Sequence, residues 1–146
     1  MLTNLAKESV GQISVDLRIA KAFTLGKASI VDLDANALPP HAEVRLPCIL
    51  RPGAYLLAQT MEELHLGGRR YACLLQPRSR AFRIGLAIET SISGPSYEGP
   101  ITFGIANMSR NPVRITRGLS IVQLTFLDIK GEIVPIPSMF HGGKVL

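Results

Sequence analysis

Arg78, Ser79 and Arg83 place two guanidinium groups and a hydroxyl within six consecutive positions. A guanidinium pairs bidentately with phosphate oxygens, so this set suits a polyphosphate; the same residues also read as solvated side chains on a turn. Gln123 either donates its amide to phosphate or satisfies a neighbouring backbone group within a strand. Asp16 stands among apolar residues, where an unpaired carboxylate is costly, so a buried pair with an arginine is expected. Glu89 and Glu98 sit beside turn-forming residues, where a glutamate is either a general base or simply solvated. Cys48 and Cys73 lie 25 positions apart, with no CxxC and no flanking histidine cluster. They predict neither a disulfide framework nor a zinc site and read as small apolar residues of the interior; no metal-ligating set is expected.

Short strands must position these groups. The chain has 146 residues, enough for one domain and too few for two ordinary ones. Hydrophobic residues are 47% of it against 18% charged, which excludes general disorder and provides for a sizeable core. Trp is absent and aromatics are 5%, so aliphatic side chains must fill that core. Thirteen Gly and ten Pro cut the sequence into segments that alternate apolar and polar residues, as half-buried strands do. The clearest are 13–19, 43–46, 54–58, 71–75, 99–106 and 121–127, with Pro52-Gly53, Pro112 and Arg117-Gly118 as turns. Only 60–66 and 79–84 are read as holding a helical turn or two. Many short strands in one small domain predict an all-β jelly roll or barrel, because closure removes exposed sheet edges. One barrel domain over 1–134 is expected, followed by an extended arm over 135–146, since Pro135 and Pro137 cannot continue a central strand.

Sixteen Lys and Arg against eleven Asp and Glu give a net charge of +5, which favours a polyanionic partner. The basic residues are scattered apart from Arg69-Arg70 and the Arg78/Arg80/Arg83 group, so nucleic acid is not the expected partner. The opening MLTNLAKESVGQ carries Lys7 and Glu8 and lacks a signal peptide's apolar stretch, and nowhere do ~18 apolar residues run together. A cytoplasmic chain that does not enter a membrane is expected.

Four segments, in this order and spacing, resemble the dCTP deaminase and dUTPase superfamily: Ser14-Val15-Asp16-Leu17-Arg18; Leu50-Arg51-Pro52-Gly53 with Tyr55 to Glu62; Pro77 to Leu86; and Pro95-Ser96-Tyr97-Glu98-Gly99 with Asn107 and the run Gly118 to Leu124. The resemblance spans about Gly11 to Leu127 and implies a distorted jelly-roll β-barrel assembled as a homotrimer, with nucleotide sites at subunit boundaries. It implies that Arg78, Ser79, Arg83 and Gln123 face phosphates, and that Tyr97 stacks on a deoxyribose; Tyr97 otherwise reads as an aromatic packed at a turn.

The catalytic positions depart from that pattern. In deaminases of this superfamily a glutamate on the strand after PGYxG shuttles the proton that lets water attack cytosine, and that position is Gly104. In dUTPases an aspartate three residues before the motif tyrosine activates the attacking water, and that position is Gly94. A general base typically contributes ~10²–10⁴ in rate, so neither reaction keeps its usual base. Pro77 stands where the pattern has glycine, removing a backbone donor, and Arg80 where it has serine. The implied function is a non-catalytic homotrimer acting as a structural or binding protein, such as a regulator or a phage capsid decoration protein, which would then be found in the virion. The alternative is a dCTP deaminase or dUTP diphosphatase acting on dCTP or dUTP, with Glu89 or Glu98 as substitute base and Mg²⁺ carried in on the nucleotide. A sensor that binds a deoxynucleotide without turnover is the third reading.

Overall fold

The computed structural model describes residues 1–28, 30–32, 39–134, 136 and 141–145. The strands are β1 (Leu2–Thr3), β2 (Val15–Leu25), β3 (His41–Val44), β4 (Cys48–Leu50), β5 (Tyr55–His65), β6 (Tyr71–Pro77), β7 (Leu86–Glu89), β8 (Ile92–Ser93), β9 (Glu98–Asn107), β10 (Val113–Ile115) and β11 (Ser120–Asp128). One short helix, α1 (Ser79–Arg83), joins β6 to β7. The main sheet runs β7-β9-β5-β2-β11-β6-β8, with β1 on β5 and β3 on β2, and β10 pairs β4 separately. Every described pairing between strands is antiparallel. The sheet curls as the expected distorted jelly-roll barrel does. β2 makes the bend: it pairs with β11 over Val15 to Arg18, then with β5 and β3 over Ile19 to Leu25.

Period-two alternation decides which side chains enter the barrel. On β2, Leu17 and Ile19 are fully buried while Asp16 and Arg18, which alternate with them, reach solvent in part; on β9, Ile101, Phe103 and Ile105 face inward. With Leu56, Ala58, Leu64, Leu75, Val122 and Leu124 they form an aliphatic core, as the lack of Trp requires. Thr102, Gly104 and Ala106 therefore belong to the outer face of β9, and their register partners Gln59, Leu57 and Tyr55 to the outer face of β5.

Two expectations need correction. Residues 60–66 are not helical: β5 continues through them to His65. The β5–β9 register shifts between Gln59 and Glu63, and there the Thr60 hydroxyl accepts from the Ile101 amide at 2.9 Å, replacing a ladder bond. The second concerns the buried carboxylate, which is Glu62 and not Asp16. Glu62 is fully buried on the inner face of β5 and accepts from the backbone amide and Nε of Arg18, each at 2.7 Å. Asp16 does pair with an arginine, but both partners remain partly exposed. Cys73 is buried and Cys48 half-buried, and both are free thiols; burial pushes the Cys73 thiol up to about 11. Among the described residues no helix is long and apolar enough to cross a membrane. The expected arm over 135–146 lies partly outside the described residues; of its described part, 136 and 141–145, Gly142 and Gly143 hydrogen-bond to the barrel.

Candidate functional site

β6 ends at Pro77, and the Arg78 amide donates to the Ile121 carbonyl at 2.8 Å, which anchors the entry to α1. The helix stops at Gly85, whose φ is +82°, and a Cβ there would meet the Cβ of Ser109 at 2.6 Å. Glycine is thus required both for the turn and for the close approach. Arg78 does not extend freely from this loop. Its Nη1 lies 2.9 Å from Asp16 Oδ2 and donates to Ser120 Oγ at 3.2 Å, so its charge is matched within the chain. Gln123 is likewise engaged, its Oε1 accepting from Ser14 Oγ at 3.1 Å. That leaves Ser79 and Arg83 exposed. Arg83 lines a shallow groove of about 640 Å³ with Ser109, Asn111 and Arg114.

Tyr97 lies elsewhere. It is half-buried in the turn between β8 and β9, donates its hydroxyl to the Pro100 carbonyl at 2.6 Å, and has its phenol pushed up by burial. It lines a mainly apolar cleft of about 610 Å³ with Gly94, Leu57, Ile101, Thr102 and Val134. Gly94 is exposed on this rim, and a Cβ there would meet nothing within 4 Å. Ile136, Lys144 and Val145 also line the cleft. Residues 141–143 turn against β9: the Gly142 amide donates to the Glu98 carbonyl at 2.8 Å, and buried Gln59 donates its side-chain amide to the Gly143 carbonyl. A Cβ on Gly143 would come within 2.6 Å of Pro100 Cδ, so this backbone contact needs glycine.

The two carboxylates considered as bases separate. Glu98 is committed: its Oε2 is 2.7 Å from His65 Nδ1 and its Oε1 accepts from the Gly67 amide at 2.7 Å. The His65 hydrogen bond, helped by the Gly67 amide, holds its carboxyl below the usual carboxylate range. Glu89 is exposed, and among the described residues its carboxylate has no hydrogen bond or ion pair. It is the register partner of Gly104 across β7 and β9. Gly104 is not a vacancy. A Cβ on it would overlap the Tyr55 hydroxyl and lie 2.8 Å from Cζ and 3.0 Å from Cε2 of the same ring.

The predicted residues thus fall into three places within one chain. Arg78 and Gln123 sit with Asp16 and Ser14 on the β2–β11 side, Arg83 in the shallow groove, and Tyr97 in the apolar cleft. Sequence reasoning missed Tyr55, Gln59 and the Arg18–Glu62 pair. The only sequence signal for the pair was that both residues belong to the motif segments.

The model of a family described as dCTP deaminase-like matches residues 1–129. A probable deoxyuridine 5'-triphosphate nucleotidohydrolase of Methanothermobacter thermautotrophicus is 31% identical over 130 residues, covering 86% of this chain and 84% of that one. A dCTP deaminase of Halorubrum lacusprofundi is 30% identical over 134 residues, and the match spans 84% of this chain but 66% of that protein. Among solved structures, a 2'-deoxycytidine 5'-triphosphate deaminase from Agrobacterium tumefaciens superposes with a TM-score of 0.67 at 20% identity, over 86% of this chain and 43% of that one. An EIAV dUTPase superposes with a TM-score of 0.59 at 13% identity, over 95% and 98%.

Proposed function

The chain belongs to the dCTP deaminase-like family, and on that premise we propose that it is a non-catalytic member, a homotrimer that holds a deoxynucleoside triphosphate without turning it over. The observation that carries this reading is the filled space at Gly104. An eroded enzyme would show a missing base and an open hole; here the phenol of Tyr55 lies against the glycine, so a carboxylate at 104 would need the ring to move. At Gly94 the other base position has no ionisable group on an open rim. In the segment Pro77 to Leu86 the attraction for an anion falls to exposed Arg83 rather than to Arg78. Arg78 is neutralised by Asp16, which weakens its pull on an anion relative to a free guanidinium.

Binding is supported by the cleft at Tyr97 and by exposed Arg83 in its separate groove. Neither groove nor cleft contains both an aromatic wall and an arginine, so a site using both needs a second copy of the chain; three-fold assembly is the closed arrangement this reading adopts. The second reading, a dCTP deaminase or dUTP diphosphatase, is favoured by Glu89, an unpaired carboxylate opposite Gly104, and by the names of the relatives. Mg²⁺ would then enter on the nucleotide phosphates.

The test is incubation with dCTP and dUTP in the presence of Mg²⁺, following ammonia and pyrophosphate alongside the thermal midpoint. A nucleotide-dependent rise in midpoint without product supports binding alone. Product formed at ordinary enzymatic rates overturns it in favour of the second reading, and absence of any shift removes the nucleotide.

A further inference from the structure

Gly104 occupies the outer face of β9, yet it is buried, because Tyr55 covers it. Tyr55 opens β5 opposite Ala106, so its ring leans one row along the sheet to reach position 104. The row it starts from is kept small by Ala106 and its partner Ala87. Gly104 has no left-handed φ, so space and not backbone conformation is what requires glycine there. On the same face stand Leu57, the β5 partner of Gly104, and Thr102, two residues before it; both line the apolar cleft. Tyr55 and Gly104 do not themselves line the cleft; the phenol covers position 104, whose neighbours Leu57 and Thr102 do, and its hydroxyl has no hydrogen-bond partner among the described residues.

We propose that Tyr55 is the ligand-orienting residue beside this cleft, its hydroxyl donating a hydrogen bond to a carbonyl acceptor on the edge of a pyrimidine ring from the space a side chain at 104 would otherwise occupy. This rests on the reading that the chain binds a pyrimidine deoxynucleotide. A phenol suits the task because it remains protonated near neutral pH; burial, and after it the charge of Glu89, push its proton affinity further up. A neutral donor holds a ring in place but does not take a proton from water as a carboxylate does. A phenol in the space beside Gly104 thus offers a polar contact without supplying a base.

Two measurements test this. The first is a thermal double-mutant cycle with Gly104→Ala and Tyr55→Ala. Gly104→Ala alone lowers the midpoint by about 4 °C or more through overpacking, and in the Tyr55→Ala background the same change is neutral or raises it. An equal drop in both backgrounds overturns the proposal. The second is calorimetric binding of dUTP and dCTP to wild type and to Tyr55→Phe, which keeps the ring. Loss of the hydroxyl weakens binding about 5-fold, the worth of one hydrogen bond. Equal affinity of the two proteins overturns the donor role while leaving nucleotide binding standing. Failure of the wild type to bind either nucleotide overturns the binding reading itself, and the donor role with it.

Discussion

Arg78 Nη1 lies 2.9 Å from Asp16 Oδ2, joining the loop before α1 to β2. The pair is 41% and 28% exposed, so its contribution to stability is small, about 0–1 kcal/mol for an ion pair open to solvent. Its larger effect is on charge. Asp16→Asn removes the counterion from Arg78, and we expect triphosphate affinity to rise about 3- to 10-fold at low salt, with the gain shrinking as ionic strength increases. Calorimetry with dUTP at two salt concentrations checks this; unchanged affinity at both would place Arg78 outside any phosphate site.

Glu62 makes the opposite case. Its carboxylate is fully buried and shared between the amide and guanidinium of Arg18, whose Nη2 also donates to the Asn4 carbonyl at 2.6 Å. Glu62→Ala leaves that guanidinium without its buried partner and should cost about 3–5 kcal/mol. Urea denaturation gives the value directly, and a loss under 1 kcal/mol would mean that water replaces the carboxylate at little cost.

Much of the barrel was legible from alternation alone. Leu17 and Ile19, or Ile101, Phe103 and Ile105, stand two apart because one face of each strand is apolar. A helical turn over 79–84 was legible as well, and the helix forms at Ser79–Arg83. The second half of β5 was not, because Thr60 and Glu62 put polar atoms on its inner face; they are satisfied by Ile101 and Arg18, partners about forty residues away in sequence. The site was half legible for a similar reason. The sequence records that position 104 has no side chain, but that Tyr55 fills the space depends on the register of β5 against β9. Asp16 was expected to find an arginine and did, but which arginine required the fold.

The hydrogen bond from His65 is the main cause of the lowered Glu98 pKa. Lowering below the ordinary value of 4.5 means that the native state holds the ionised form more tightly than the unfolded chain does. This contribution to stability is present above pH 4.5 and is lost as pH falls through the lowered native value. Glu98→Gln should therefore flatten the stability profile below that pH, as seen in urea midpoints across an acid series. A profile parallel to wild type would show that the His65 contact is not maintained in solution.

The 141–143 turn depends on Gly143, whose φ is +71° and whose missing Cβ makes room for Pro100. Gly143→Ala should release this turn from Gln59 with little effect on the barrel. Tryptic cleavage after Lys144 then accelerates several-fold while the thermal midpoint stays within about 2 °C, because local opening is separate from global unfolding. Equal cleavage rates would mean that the turn is already open in the wild type.

The most direct test of non-catalytic binding is product analysis at equimolar protein and nucleotide, where even a very slow reaction accumulates. With dCTP or dUTP and Mg²⁺ held for several hours, non-catalytic binding gives a raised thermal midpoint and unchanged nucleotide, with neither ammonia nor pyrophosphate above the protein-free control. Stoichiometric conversion of either nucleotide within minutes, abolished by Glu89→Gln, would contradict it and place the working base one strand away from Gly104.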